Sequence, residues 1–246
     1  MDHLIYTAMS GASAAAQRQS VLANNLANAS TQGFRAELST YRAVPLRGDG
    51  ASTRVFAMEA TSCHDEKPGA IQRTGRTLDM AAQGNAWFAV QGLDGTEAYT
   101  RSGSFQVSPE GTLTTTNGLM VLSDGGAPID VPPGSELTVG GDGTVSAQTG
   151  SAPAATIGRI KLATATPQDR LARGEDGLFR TATLDPLPTS PVARLETGAL
   201  EGSNVNPVET MVGMIAAARQ FEQQMRLLQT AESSDKSASQ LLNIQG

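Results

Sequence analysis

Apolar residues recur at alternating spacings of three and four near both chain ends, and between those ends the pattern breaks into short runs. From residue 3 to residue 28, Ile5, Ala8, Ala12, Ala15, Gln19, Leu22 and Leu26 follow a heptad rule with one polar intruder. The spacing predicts an amphipathic helix whose seam is narrow and mostly alanine. Such a seam buries little area per residue and lets a second backbone come very close, so the helix is marginal alone. The polar run Ala29, Ser30, Thr31, Gln32 and Gly33 ends it by losing both periodicity and helix propensity.

Near the other end, Met211, Met214, Ala218, Phe221, Met225 and Leu228 repeat the spacing, and Ile215 thickens the stripe. The start of this second helix is well marked. Asn206 supplies a cap, Pro207 suits the first helical position because its missing N–H is not needed there, and Glu209 completes a capping box with the favourable dipole sign. Running from Pro207 to about Asn243, it would be on the order of 55 Å long at 1.5 Å per residue. A methionine-lined stripe also describes a peptide groove, since methionine repacks easily; a helix seam is the reading taken here.

Between the helices, residues 34–75 mix Pro45, Pro68 and small polar residues without a sustained period, which predicts an extended arm with some short strands. Turn-forming pairs then punctuate the chain at Asp94-Gly95, Glu110-Gly111, Asn117-Gly118, Asp124-Gly125, Asp142-Gly143 and Asp176-Gly177, with Asp49-Gly50 just upstream. The β-rich runs between them include residues 87–90, 104–107, 112–116, 119–122 and 136–139. Short strands at this spacing imply a sandwich or an open barrel. A proline-rich stretch at 184–191 and a turn-like one at 196–202 end the β region before Ser203.

The expected class is therefore α+β: a mainly β central domain of short antiparallel strands, inserted between N- and C-terminal helices that pair as a coiled coil. The expected divisions are 1–33 with 203–246 as the helical domain, 34–75 as the arm and 76–202 as the β domain. A long helical hairpin leaves much apolar surface for a partner to cover.

Composition narrows the function classes. The net charge is −6, and the 18 Lys and Arg residues are scattered singly, which speaks against nucleic acid as a partner. Aromatics are only 4% of the chain, few for gripping bases, sugars or drug-like ligands. The N-terminus has no basic n-region and only a short apolar run, Leu4, Ile5 and Tyr6, so it is not read as a cleaved secretory signal. No stretch approaches the roughly 18 to 20 apolar residues of a membrane span.

Cys63, His64, Asp65 and Glu66 are each able to ligate a metal, but being adjacent they do not turn toward one point as C-x2-C or H-x3-H spacings do. A solvated loop is the plainer reading, and a lone cysteine forms no internal disulfide. No G-x-S-x-G elbow, P-loop or H-E-x-x-H occurs, and residues 140–143 read as a hairpin turn. No catalytic residue, cofactor, metal or small-molecule substrate is expected. The tract Asn24, Asn25 and Asn28 costs helix propensity. Either Asn28 caps the helix or buried amides set register between neighbouring helices.

At this tract a resemblance appears. Residues 23–34, reading ANNLANASTQGF, resemble the N-terminal signature of the flagellar rod, hook and hook-associated proteins, and residues 203–215, SNVNPVETMVGMI, resemble their C-terminal signature. The opening MDHLIYTAMSGA is closer to the proximal-rod branch than to the distal-rod branch. Residues 78–79, 98–105 (AYTRSGSF) and 110–117 resemble the shared β core, while Asn85-Ala86-Trp87-Phe88 departs from the expected Asp-Gly-Phe-Phe type of turn.

The resemblance implies a structural, non-enzymatic subunit of the bacterial flagellar basal body, exported by the flagellar type III apparatus without cleavage. It would assemble with its own copies and other rod proteins into a helical tube crossing the periplasm. On that expectation Ile5, Leu22, Asn24, Asn25, Leu26, Asn28, Asn206, Pro207, Met211, Met214, Ile215, Phe221, Met225 and Leu228 form the assembly interface. The alternatives are a sister distal-rod or hook-type subunit, or a β-domain ligand-binding module with helical oligomerisation ends.

Overall fold

A computed structural model of the chain describes residues 2–45, 55–166 and 169–243, so the Asp49-Gly50 pair lies outside the described residues. The chain is α+β, with a helix at each end and a β-rich middle, and it divides into two compact units.

The helical unit holds Met1–Ala29, Glu37–Cys63 and Val205–Gly246. Its helices are α1, Asp2–Ala27, and α2, Pro207–Asn243, which pack on each other. Strands Glu37–Pro45 and Val55–His64 pair as a two-stranded sheet in the same unit, His64 itself belonging to the other. The expected arm is thus a pair of long strands for much of its length. Its alternating exposure along Glu37–Pro45 is the period-two pattern of a ribbon with one sheltered face.

The β unit holds Ser30–Ala36 and His64–Asn204. Its largest sheet runs in the order Leu162–Thr164, Ala86–Gln91, Glu97–Thr100, Phe179–Thr181 and Leu171–Arg173, all pairs antiparallel. No sheet of the described residues has more than five strands side by side, an open, half-barrel arrangement. The strand Ala86–Gln91, second in that order, is covered on both faces, which explains why it reads as a continuous apolar run rather than an alternating one. Phe88 turns to one side, meeting Phe105 edge to face at 5.1 Å, and Trp87 turns to the other, 4.6 Å from Phe179. The departure at residues 85–88 is a strand start, preceded by a turn with Gly84 at φ 61°.

Three hairpins share one loop. At Asp94, Asp142 and Asp176, the carboxylate accepts the backbone N–H two residues on, at 3.1 Å each, and the following glycine (95, 143 and 177) takes positive φ. Asp124-Gly125 departs from this, because Gly126 takes the left-handed conformation there instead.

Two expectations are corrected. Residues 119–122 form no continuous strand: Met120, Val121 and Leu122 bridge Thr114, Val90 and Pro128 in turn, so the run is shared among three partners. Residues 196–202 are not merely a turn. Strands Leu195–Thr197 and Ala199–Glu201 flank Gly198 and pair with Met80–Ala82 and Ile71–Arg73. Gly198, at φ 71°, supplies the break that reads as a turn, while tertiary pairing makes strands of its neighbours.

Candidate assembly interface

The α1 seam lies where its spacing places it. Ala8, Ala12 and Ala15 are buried and Ile5, Gln19, Leu22 and Leu26 are half-buried. A Cβ added to Gly11 would lie 3.1 Å from Gln224 Cδ, and one added to Gly213 would lie 3.3 Å from Leu22 Cδ1. Leu22 lies 11 residues after Gly11 and Gly213 lies 11 residues before Gln224, so the helices run antiparallel in constant register. At both points a glycine lets a side chain of the facing helix pack directly onto the backbone.

The α2 residues divide into two sets. Thr210, Ala217 and Ala231 are buried, with Gly213, Met214, Gln224 and Leu228 half-buried, tracing a seam one step removed from the stripe of large residues. Met214 and Leu228 belong to both. Met211 (51% exposed), Ile215 (56%), Phe221 (36%) and Met225 (38%) stay open, as do Val208 (71%) and Val212 (62%). The small residues face the partner helix, and the exposed large ones run from the flank of α2, at Phe221 and Met225, round to the side of Val208, Met211, Val212 and Ile215. A wide stripe does not reveal which of its edges a partner helix will take, and α2 turns the smaller edge inward.

The asparagines act locally. Asn25 is buried, and its amide both donates to the Glu37 carbonyl at 2.9 Å and accepts the Glu37 N–H at 2.8 Å. Asn24 reaches the Glu37 carboxylate at 3.3 Å. Asn28 donates to the Asn24 carbonyl at 2.9 Å and to its side-chain oxygen at 2.8 Å, closing the end of α1. Asn206 caps α2 by accepting the N–H groups of Val208 at 3.1 Å and Glu209 at 3.4 Å, with Pro207 in the first helical position. Asn28 thus closes the helix end, while Asn24 and Asn25 hold Glu37 at the start of the next strand.

The comparisons with known proteins decide the family. The model described as flagella basal body rod protein matches residues 5–35, the flagellar hook protein FlgE/F/G D1 domain matches 81–147, and the flagellar basal body rod FlgEFG protein C-terminal model matches 196–241. The flagellar basal-body rod protein FlgF of Escherichia coli K12 is 47% identical, covering 99% of this chain and 100% of its own length. That of Salmonella typhimurium is 46% identical with the same coverage, and that of Caulobacter vibrioides is 34% identical over 98% of both chains. The chain belongs to the FlgF family of flagellar basal-body rod proteins. As a member of the FlgF family it is a structural subunit of the basal-body rod, and the family is not one of enzymes.

Sequence reasoning missed a second cluster, in the β unit. Glu201 is buried between two arginines, Arg35 Nη2 at 2.9 Å from Oε1 and Arg101 Nη2 at 2.8 Å from Oε2. Arg101 also donates to the carbonyls of Ala86 and Gly84, and Arg35 to that of Lys67. Burial pulls the Arg101 guanidinium below its ordinary pKa and the Glu201 carboxylate opposes that shift. Three ionisable residues so far apart in sequence leave no spacing to read; the one local sign is that Arg35 and Glu201 each sit beside a family signature. His64, one of the four adjacent metal-capable residues, packs against Phe179 at 4.8 Å and Trp87 at 5.9 Å, and Cys63 is exposed.

Proposed function

We propose that the chain is a proximal-rod subunit which travels through the flagellar type III export apparatus uncleaved and joins its own copies and other rod proteins in a helical tube crossing the periplasm. The observation that carries this reading is the exposed apolar surface of α2. Val208, Met211, Val212 and Ile215 share one side of the helix and stand open to solvent, with Phe221 and Met225 exposed on its flank, although the helix is already packed against α1; apolar surface of this kind is covered in assembly. A contact between unlike faces, repeated without closure, builds such a tube.

In this reading α1 and α2 pair as a coiled coil through Ile5, Ala8, Ala12, Ala15, Leu22 and Leu26, and the exposed apolar surface of α2 packs on neighbouring subunits. Alanine seams stay loosely held during transit and order when neighbours supply burial. The opening residues MDHLIYTAMSGA favour the proximal over the distal rod.

Leu26→Asp or Phe221→Asp is expected to abolish rod incorporation and motility while the β unit stays folded; a motile Leu26→Asp strain would overturn the assignment. Hydrogen exchange on the purified monomer adds a second test. Fast exchange at both helices beside a protected β unit is expected, whereas uniform protection would mark a self-sufficient globular protein.

A further inference from the structure

The chain passes between its two units after Ala29, Ala36, Cys63 and Asn204. The first two passages bound the heptapeptide Ser30–Ala36, which directly follows the helical segment in sequence yet belongs to the β unit. Its second half, residues 33–36, is gripped there, while Ser30, Thr31 and Gln32 are exposed. The Gly33 N–H donates to the Glu201 carbonyl at 2.8 Å. Phe34 is buried under the Arg173 guanidinium, whose carbon stands 4.1 Å from the ring centroid, and its carbonyl accepts the Asn204 N–H at 3.2 Å. Arg35 forms the buried pair with Glu201. The Ala36 N–H donates to the Asn204 side-chain oxygen at 2.7 Å, and the same amide donates to the carbonyls of Asp65 and Lys67 at 3.1 and 2.9 Å.

We propose that Ser30–Ala36 is a latch, a separately delivered piece of the β unit whose seating is controlled by Glu201 and Asn204 and does not depend on the pairing of the helices. Glu201 holds the latch by both backbone and carboxylate, and without Arg35 the carboxylate would keep Arg101 alone. Asn204 gathers three passages of chain, at Ala36, Asp65 and its own position, with one amide. Gly33 sets the fit: its φ is 66°, and a Cβ there would fall 2.4 Å from the Arg101 carbonyl carbon, a distance no side chain tolerates. The latch therefore keeps the first and last passages of the β unit together at all times, so a helix pair that opens finds its two roots still joined when it reforms.

The test is amide exchange on the full chain in solution, read at Gly33 and Ala36, with strand Ala86–Gln91 as the internal control. In Leu22→Asp, which breaks the helix crossing, the Gly33 and Ala36 amides are expected to keep the protection they have in the unmodified chain, while α1 amides exchange at least as fast as they do there. Loss of protection at Gly33 and Ala36 in that variant would overturn the proposal. In Asn204→Ala and Gly33→Ala the order reverses: latch amides are expected to exchange faster by about tenfold or more, with the control strand unchanged. Unaltered latch exchange in both variants would also overturn it. Asn204→Ala removes only an amide and keeps the buried charges intact, so it remains informative should Gly33→Ala disturb the whole unit. The measurement is made on monomer, so failure of rod assembly and failure of the latch are told apart.

Discussion

The two units solve burial in opposite ways. In the β unit the core is large and closed: Trp87, Phe88, Tyr99, Phe105, Met80 and Leu113 are all almost inaccessible. Among the described residues the buried apolar positions of the two helices are Ala8, Ala12, Ala15, Ala217 and Ala231, and most large side chains of α2 stay exposed. A buried leucine or phenylalanine is worth roughly 1.5–3 kcal/mol against about 0.8 kcal/mol per methylene-sized group, so the alanine seam holds far less free energy per residue than the β core. The difference teaches where each unit obtains its stability. The β unit carries its own in a closed core of large side chains, and the helical unit combines a seam of small buried residues with large apolar side chains left uncovered.

Four changes would break or sharpen this contrast. Glu201→Ala leaves the Arg35 and Arg101 guanidiniums buried without their carboxylate, and is expected to cost about 3–5 kcal/mol. The midpoint of urea unfolding followed by Trp87 fluorescence reports it, and an unchanged midpoint would show that the pair is not integral to the β unit. Phe88→Ala, at a fully buried position against Phe105, should cost about the same, roughly 3–5 kcal/mol in the same assay. Neither variant should lower the helical signal of α1 and α2 at concentrations of denaturant that leave the β unit folded.

Ala15→Leu works on the other side of the contrast. It places a large side chain in the alanine seam and should destabilise helix pairing by about 1–3 kcal/mol. Far-UV circular dichroism should show an earlier loss of helix with the Trp87 transition unmoved; a coincident shift of both would mean that the units unfold as one.

The smallest effect expected is on pH. Burial against Phe179 and Trp87 lowers the His64 pKa below its ordinary 6.5, Arg173 and Arg35 push it the same way, and Glu66 and Asp65 oppose. The native state therefore favours neutral imidazole while the unfolded chain binds a proton near pH 6.5. The His64 contribution is fully present above about pH 6.5 and declines as pH falls below it. His64→Phe should flatten that part of the stability profile of the β unit, and an unchanged slope in the variant would remove His64 as its cause.

Much of this was legible in the residues themselves. The helix limits follow from seams and caps: Asn206 and Pro207 start α2 where their chemistry requires, and the polar run after Asn28 ends α1. The hairpin loops at Asp94, Asp142 and Asp176 are equally local, since a carboxylate two residues before an N–H and a glycine free to take positive φ make the turn without outside help. The signatures at residues 23–34 and 203–215 carried the family. Less legible was the arm, whose residues 37–45 and 55–64 form strands only because they pair with each other, and the stretch 196–202, where strands form around a glycine that signals a turn.

What the sequence determined by itself is what depends on neighbours a few residues away: where the helices begin and end, where the chain turns, and that both helices carry an apolar stripe. The tertiary structure alone decided which edge of the α2 stripe meets α1, that Asn25 spends its amide on the Glu37 backbone, and that Glu201 stands between Arg35 and Arg101. These rest on contacts between residues distant in sequence. Their free energy comes from desolvation and close approach in three dimensions, and no periodicity along one dimension records it.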